Sequence, residues 1–185
     1  MNCHIARNEN ERNEILRQRY DIFVKKFGYL PSSHTSEQIE IDEYDPYSLL
    51  FGIWDENLLL GSFRLVLPNA EKGLPTLNNM EVDPIFKSDL SHTAEISRII
   101  AATDSQSVRR SIDILKLMQS EIYTVSCQHG ITSWIGSIEP AFLRLLHFAK
   151  LNYITIGPLQ HYIKVDRYPV ILTAEAYLSS YRGAA

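Results

Sequence analysis

The sequence predicts a single mixed α/β domain, a central sheet flanked by helices, within 185 residues. Three observations predict it. Stretches of helical and strand periodicity alternate along the chain. No repeat, low-complexity tract or long linker divides it. With 45% hydrophobic residues, the chain is long enough to bury one substantial core.

The elements follow in order. Over residues 9–27, Ile15, Leu16, Arg19, Tyr20, Phe23 and Phe27 recur at spacings of three and four, which predicts a helix stopped by Gly28. Pro31-Ser32-Ser33-His34-Thr35-Ser36 is a loop by composition and leads into the acidic segment 40–45. Both are expected to be mobile until a substrate arrives, so residues 1–45 form an acceptor-binding N-terminal part of the domain. The runs 48–54 and 58–67, separated by Asp55-Glu56-Asn57, predict a hairpin. Residues 68–92, punctuated by Pro68, Gly73, Pro75 and Pro84, predict an irregular excursion with one short helix near Pro84-Ile85-Phe86. A strand is expected over 94–102. Val108, Ile112, Leu115, Met118, Ile122 and Val125 then trace a helical stripe ending near Gly130. A strand over 132–138, a helix over 140–150 opened by Pro140, and strands over 153–156 and 168–172 complete the domain.

Composition excludes several classes. Cys3 and Cys127 form neither a disulfide framework nor a zinc motif, which fits a reducing compartment. The start of the chain lacks an apolar signal core and no later run reaches the ~20 residues that span a bilayer. A soluble cytoplasmic protein without a metal is expected. The six histidines lie in unrelated contexts and read as structural or exposed. The net charge of −4 conceals an asymmetry: residues 1–104 carry 10 Lys+Arg against 17 Asp+Glu, and residues 105–185 carry 8 against 5. The basic excess of the second part is too mild for nucleic acid, but it suits an acidic protein partner.

Charges inside apolar runs mark the candidate site. Ala94-Glu95-Ile96-Ser97-Arg98-Ile99-Ile100 places two of them in a run fit for a buried strand, where burial is costly unless each is paired or working. Arg19 lies on the apolar face of the first helix and Arg64 among the apolar residues of the second hairpin strand. With Glu40, Asp42 and Asp45, these cations predict a network able to bind a zwitterionic substrate. Taken alone, Glu-x-x-Arg fits a structural ion pair as well as catalysis. Ideal alternation also sends Glu95 and Arg98 to opposite faces, so both serve one site only if a bulge shifts the register.

In their order these residues resemble the acyl-homoserine-lactone synthases and the long-chain N-acyl amino acid synthases, two branches of the GCN5-related N-acyltransferase fold. The resemblance rests on Arg19, Phe23 and a Gly28-aromatic step; on Asp42 and Asp45 in Glu-x-Asp-x-Tyr-Asp; on Arg64 in Arg-Leu; on Phe86; and on Glu95 and Arg98 in Glu-x-Ser-Arg. It spans roughly residues 15–170, with Gly157-Pro158 near its end. It implies transfer of a fatty acyl group from a phosphopantetheine thioester to an amine, without a permanently bound cofactor. Glu95 would be the base and Arg98 the holder of Glu95 or of the acidic segment. Arg19, Phe23, Tyr29, Asp42, Asp45, Arg64 and Phe86 would surround the acceptor, and the backbone near Ala101 and Ala102 would receive the oxyanion.

Tyr29-Leu30 stands where lactone synthases usually carry Trp after the Gly, a pattern similar to that of the N-acyl amino acid synthases. This implies an amino acid acceptor, with a lactone synthase using S-adenosylmethionine as the alternative. Thr103 to Arg110 contains no Gly, unlike the loop with which CoA-dependent relatives of this fold cradle pyrophosphate. The resemblance therefore implies acyl carrier protein as donor, docked by Arg109, Arg110, Lys116, Arg144 and Lys150. Trp134, Ile138, Phe142 and Leu146 are candidates for the acyl-chain tunnel, with plain core packing as the competing role. A non-catalytic lipid-binding or regulatory domain is the alternative from another class.

Overall fold

The computed structural model describes residues 1–31, 38–87, 90–101 and 108–182. Its sheet runs β1 (Asn2–Ile5), β2 (Ser48–Asp55), β3 (Leu58–Val66), β4 (Thr93–Ile100), β5 (Ser133–Ile138), β8 (Val165–Thr173), β6 (Ile154–Thr155), with β7 (Gln160–Tyr162) paired to β8 beside this path. Only β4 and β5 are parallel; the other neighbours are antiparallel. That one parallel junction is crossed by helix α3 (Val108–Gln128), as a parallel pair requires.

Alternation along the strands divides the apolar side chains between two faces. On one face Leu65, Ile96 and Trp134 join Ile114, Leu115 and Met118 of α3, and Leu143 and Leu146 of α4 (Pro140–Phe148), in the main core. Tyr177 of α5 (Ala174–Arg182) closes the same cluster. The opposite face carries a smaller cluster of Val66, Ile135 and Ile171 beneath Leu74, Leu77 and Val82 of the excursion. Beside it, Ile15 and Leu16 of α1 (Glu9–Arg19) pack on Leu50.

The hairpin, the strand and helix after the excursion, and the alternation to the C-terminus follow the sequence pattern. Three differences have physical causes. The first helix is α-helical only to Arg19 and continues as a π-helix over Tyr20–Lys26, closed by Phe27 N–H donating to the Ile22 carbonyl at 3.0 Å. This turn brings Ile22, Phe23, Lys26 and Phe27 to the cavity described below. Within the excursion, Pro75–Asn79 forms a five-residue helix, α2, started by its proline. The sequence pattern does not single out β1 and β7, which span four and three residues, too few to show a periodicity, or the nine-residue α5.

Two features of β4 position the site. Ser62 pairs with Ile100 and Arg64 with Ser97, so two steps on β3 face three on β4. The extra residue is a β-bulge, and Arg98 within it has φ +53°. On the other edge, β4 pairs with β5 only from Thr93/Ser133 to Glu95/Ile135, although the strands continue to Ile100 and Ile138. Beyond Glu95 the sheet opens between them.

Candidate active site

Three arginines and three carboxylates from distant parts of the chain close into a ring of alternating charge. Arg19 grips Asp45 with two hydrogen bonds of 2.7 and 3.1 Å and donates through Nε to Glu40. Glu40 also accepts two bonds of 3.1 Å from Arg98, whose Nη2 reaches Asp42 at 2.9 Å. Asp42 in turn accepts from Arg64, and the Arg64 guanidinium lies 3.2 Å from Asp45. Each cation thus bridges two anions and each anion two cations, for a net charge of zero. Burial by itself raises the Asp45 carboxyl, but Arg19 and Arg64 overcome it and hold the group at about 2. Burial likewise opposes ionisation of Glu40 and Asp42, and their arginines keep both below the ordinary range.

The bulge explains how Arg98 joins this ring. A regular strand would turn it to the main core; the left-handed residue returns it to the face of Glu95 and Ser97. That conformation costs roughly 1–2 kcal/mol for a residue with a Cβ. Three charge-assisted bonds and the Phe23 ring, 5.8 Å from the guanidinium, offset it. Arg64 is fixed from its other side by Nε donating to Ser97 Oγ at 3.0 Å.

Glu95 stands beside the ring and outside it. Its carboxylate is 2% exposed and, among the described residues, accepts from Thr76 alone, from N–H at 2.7 Å and from Oγ at 2.9 Å. Burial drives its pKa up; the Thr76 bonds and the charges of Arg64 and Arg98 oppose this without cancelling it, leaving about 7. Thr76, which no charge pattern in the sequence singles out, is therefore part of the site.

A cavity of about 900 Å³ occupies the opening between β4 and β5. On the Glu95 face it is lined by Ser97, Arg98, Asp42, Phe23 and Tyr29, and on the main-core face by Ile96, Ile138, Phe142 and Leu145. The hairpin of β7 and β8 adds Tyr162, Ile163 and Arg167, residues that carried no signal in the sequence. Lys164 in its turn donates to the Gly28 carbonyl and ties this hairpin to the exit of the first helix.

Some expected contributors stand elsewhere. Arg19 and Asp45, expected at the acceptor, do not line the cavity: each is almost fully buried, and their bonds to one another and to the ring consume their charge. Phe86 packs against the small apolar cluster instead. Trp134 and Leu146, expected in the acyl tunnel, belong to the main core, where Trp134 Nε1 donates to Ser126 Oγ at 2.8 Å. Ala101 lines the cavity, while Ala102, the loop 103–107 and the loop 32–36 lie outside the described residues. Of the basic residues, Arg109, Arg110, Lys116 and Arg144 are exposed on α3 and α4, the helices that begin where β4 and β5 end. Arg110 leans toward Asp55 at 3.9 Å. Lys150 sits past the far end of α4, ten residues from Pro140, or about 15 Å along a helix axis.

Residues 18–115 match the model of the Acetyltransferase (GNAT) domain, a span that includes the whole ring and Glu95. The chain belongs to the GNAT acyltransferase family. GNAT architecture extends over nearly all of it: the fold is similar to that of TofI, solved in a ternary complex with an inhibitor and MTA (TM-score 0.70, 19% identity, 98% of this chain and 97% of that one). It is also similar to FeeM, an N-acyl amino acid synthase from uncultured soil microbes (0.63, 20%, 96% and 92%), and to the CoA-dependent acyl-homoserine lactone synthase BjaI with MTA (0.66, 18%, 98% and 87%). No curated protein sequence matches the chain. Among the described residues, no helix of this GNAT protein is long and apolar enough to cross a membrane.

Proposed function

We propose that this GNAT protein is an N-acyltransferase that moves a fatty acyl group from an acyl carrier protein thioester to the amine of a small amino-acid-like acceptor. The observation that carries this reading is the cavity through the sheet, polar with Glu95 on one face and apolar on the other. An amine enters from the side of Glu95 and Asp42. The acyl chain lies among Ile138, Phe142 and Leu145, and the thioester carbonyl meets the amine in the opening.

An ammonium has no lone pair, so it must lose a proton before attack. Glu95 accepts it, directly or through a water, because a carboxyl titrating near neutrality is both ionised and basic enough at working pH. The amine nitrogen then bonds to the thioester carbon, and collapse of the tetrahedral intermediate breaks the C–S bond and expels the pantetheine thiolate, which takes up the second proton that the nitrogen gives up in becoming an amide. Arg98 acts by position: it fixes Asp42 and the Phe23 ring at the edge of the acceptor site. Ala101, where β4 leaves its pairing, offers a backbone N–H to the oxyanion.

The Gly-free segment 103–110 lacks the usual pyrophosphate cradle, which supports a carrier protein over CoA. Arg109 and Arg144, exposed near the starts of α3 and α4, supply charge for an acidic carrier. A thiol-release assay with dodecanoyl carrier protein and dodecanoyl-CoA, coupled to mass spectrometry of the products, tests the reading. Release with no amide formed would refute it. The second reading is a lactone synthase using S-adenosylmethionine, favoured by the MTA held in the TofI and BjaI structures; a homoserine lactone among the products would establish it instead.

A further inference from the structure

Every arginine of the ring pairs with two carboxylates, and the cavity contains one that does not. Arg167 of β8 lies on the cavity wall with its side chain 15% exposed and, among the described residues, makes no hydrogen bond. Its Nε is buried without a partner. The nearest anion is Glu139, 3.5 Å from Nη2, a separation longer than a hydrogen bond. Glu139 is also engaged by the Tyr29 hydroxyl, at 3.3 Å, and Tyr29 presents its ring to the guanidinium at 5.4 Å from the centroid.

We propose that Arg167 binds the carboxylate of the acceptor, so that the acceptor is a free amino acid and not a simple amine or an ester. This rests on the N-acyltransferase reading above and specifies its substrate class. A guanidinium stacked on a tyrosine and touched by an anion at one edge is held in orientation while its other donors remain free, the arrangement that receives a carboxylate through two parallel N–H bonds. Burial weakens the protonation of Arg167, and Glu139 only partly restores it. The site therefore gains from a second anion.

The location selects the source of that anion. Arg167 shares its face of the sheet with Glu95, and Tyr162 stands near both charges. A carboxylate on Arg167 leaves the neighbouring ammonium on the face of the sheet that carries Glu95. The phosphate of a pantetheine arm would instead sit at the exposed ends of α3 and α4, beside Arg109 and Arg144.

The test measures acylation of the twenty amino acids, and of the methyl ester of whichever is used best, by wild type and Arg167→Gln with dodecanoyl carrier protein as donor. Wild type is expected to prefer the free acid over its ester by about 10- to 100-fold in kcat/KM, mostly through KM. Arg167→Gln should lose that preference by raising KM for the acid, and the two changes should not be additive. Arg167→Lys should restore it in part, and Glu139→Gln should leave the preference for the acid intact or increase it. If wild type acylates acid and ester equally, or if Arg167→Gln retains the preference while folding normally, the carboxylate assignment fails although the acyltransferase reading stands. If no amine is acylated at all, both fail.

Discussion

Replacing Glu95 with Gln separates chemistry from folding, because the amide keeps the shape and the hydrogen bonds of the carboxyl. Its oxygen still accepts from Thr76 N–H, and its NH2 can donate to Thr76 Oγ, which reverses the sense of that bond. What disappears is the charge and the proton acceptor. Burial raises the Glu95 carboxyl from 4.5 to about 7, so ionising it in the folded protein costs about 3 kcal/mol more than in the unfolded chain. The sign follows: below pH 4.5 the group is neutral in both states and exacts nothing. As pH rises from there through 7 the unfolded chain ionises first, and stability falls by that amount. Glu95→Gln is therefore expected to match wild type near pH 4.5 and to exceed it by about 3 kcal/mol at pH 8.5, or about 6–12 °C in Tm for a domain of this size. The same substitution should reduce acyl transfer by about 10²- to 10⁴-fold and abolish the rising limb near pH 7 that wild-type kcat/KM should show. Thermal melts at the two pH values and a thiol-release profile over pH 5.5–8.5 measure both effects. A variant no more stable at pH 8.5 would show that Glu95 is not a strained carboxyl, and one that keeps wild-type turnover would show that it is not the base.

Arg19→Met, which leaves Asp45 and Glu40 short of their partner, is expected to cost about 3–5 kcal/mol in urea denaturation; a loss below 1 kcal/mol would mean that the ring is loosely held. Because Asp45, Glu40 and Asp42 titrate below their ordinary values, they contribute stability above about pH 4 that is lost as pH falls toward 2, so the urea midpoint should drop steeply over that interval; a flat profile would contradict the pairing. Phe142→Trp narrows the apolar side of the cavity and should shift kcat/KM toward hexanoyl over dodecanoyl carrier protein by about tenfold or more; an unchanged ratio would place the chain elsewhere. Arg144→Glu should raise KM for acyl carrier protein more than for a small acyl thioester, and equal effects on the two would remove α4 from the docking surface.

The ring was legible because charge inside an apolar pattern is rare: Arg19, Arg64 and Arg98 each interrupt a hydrophobic run, and each proves to be paired. Its closure was not, since pairing depends on which of several carboxylates each arginine reaches. Arg19 and Asp45 show the consequence, for the burial that made them conspicuous also takes them away from the cavity. The bulge at Arg98 could be posed as a condition but not located, because a one-residue slip between β3 and β4 leaves no mark in periodicity. Arg167 was invisible for a different reason. It lies between Asp166 and Tyr168 near the end of the chain, where a charge on a strand of alternating exposure looks solvated; only the hairpin folding back to Gly28 brings it inside. Trp134 and Ile138, four apart in the same strand run, differ by depth alone: Trp134 lies where β4 and β5 still pair, and Ile138 where they have parted.

That parting also gives the ring a purpose beyond stability. A buried ionic cluster is a weak source of folding free energy, since desolvation consumes most of what pairing returns. Its value here is geometric. The ring ties α1, the segment 40–45, β3 and the bulge of β4 together through their side chains and holds them beside the sheet opening. By drawing Arg98 out of strand alternation it fixes the extra residue of β4 where pairing with β5 has just ended. Glu95, two residues before the bulge, remains in the regular strand and keeps its contact with α2. In the reaction proposed above, Glu95 would then be a base on a rigid strand, next to a gap that the thioester reaches from the opposite face, so that the two substrates would not compete for one entrance.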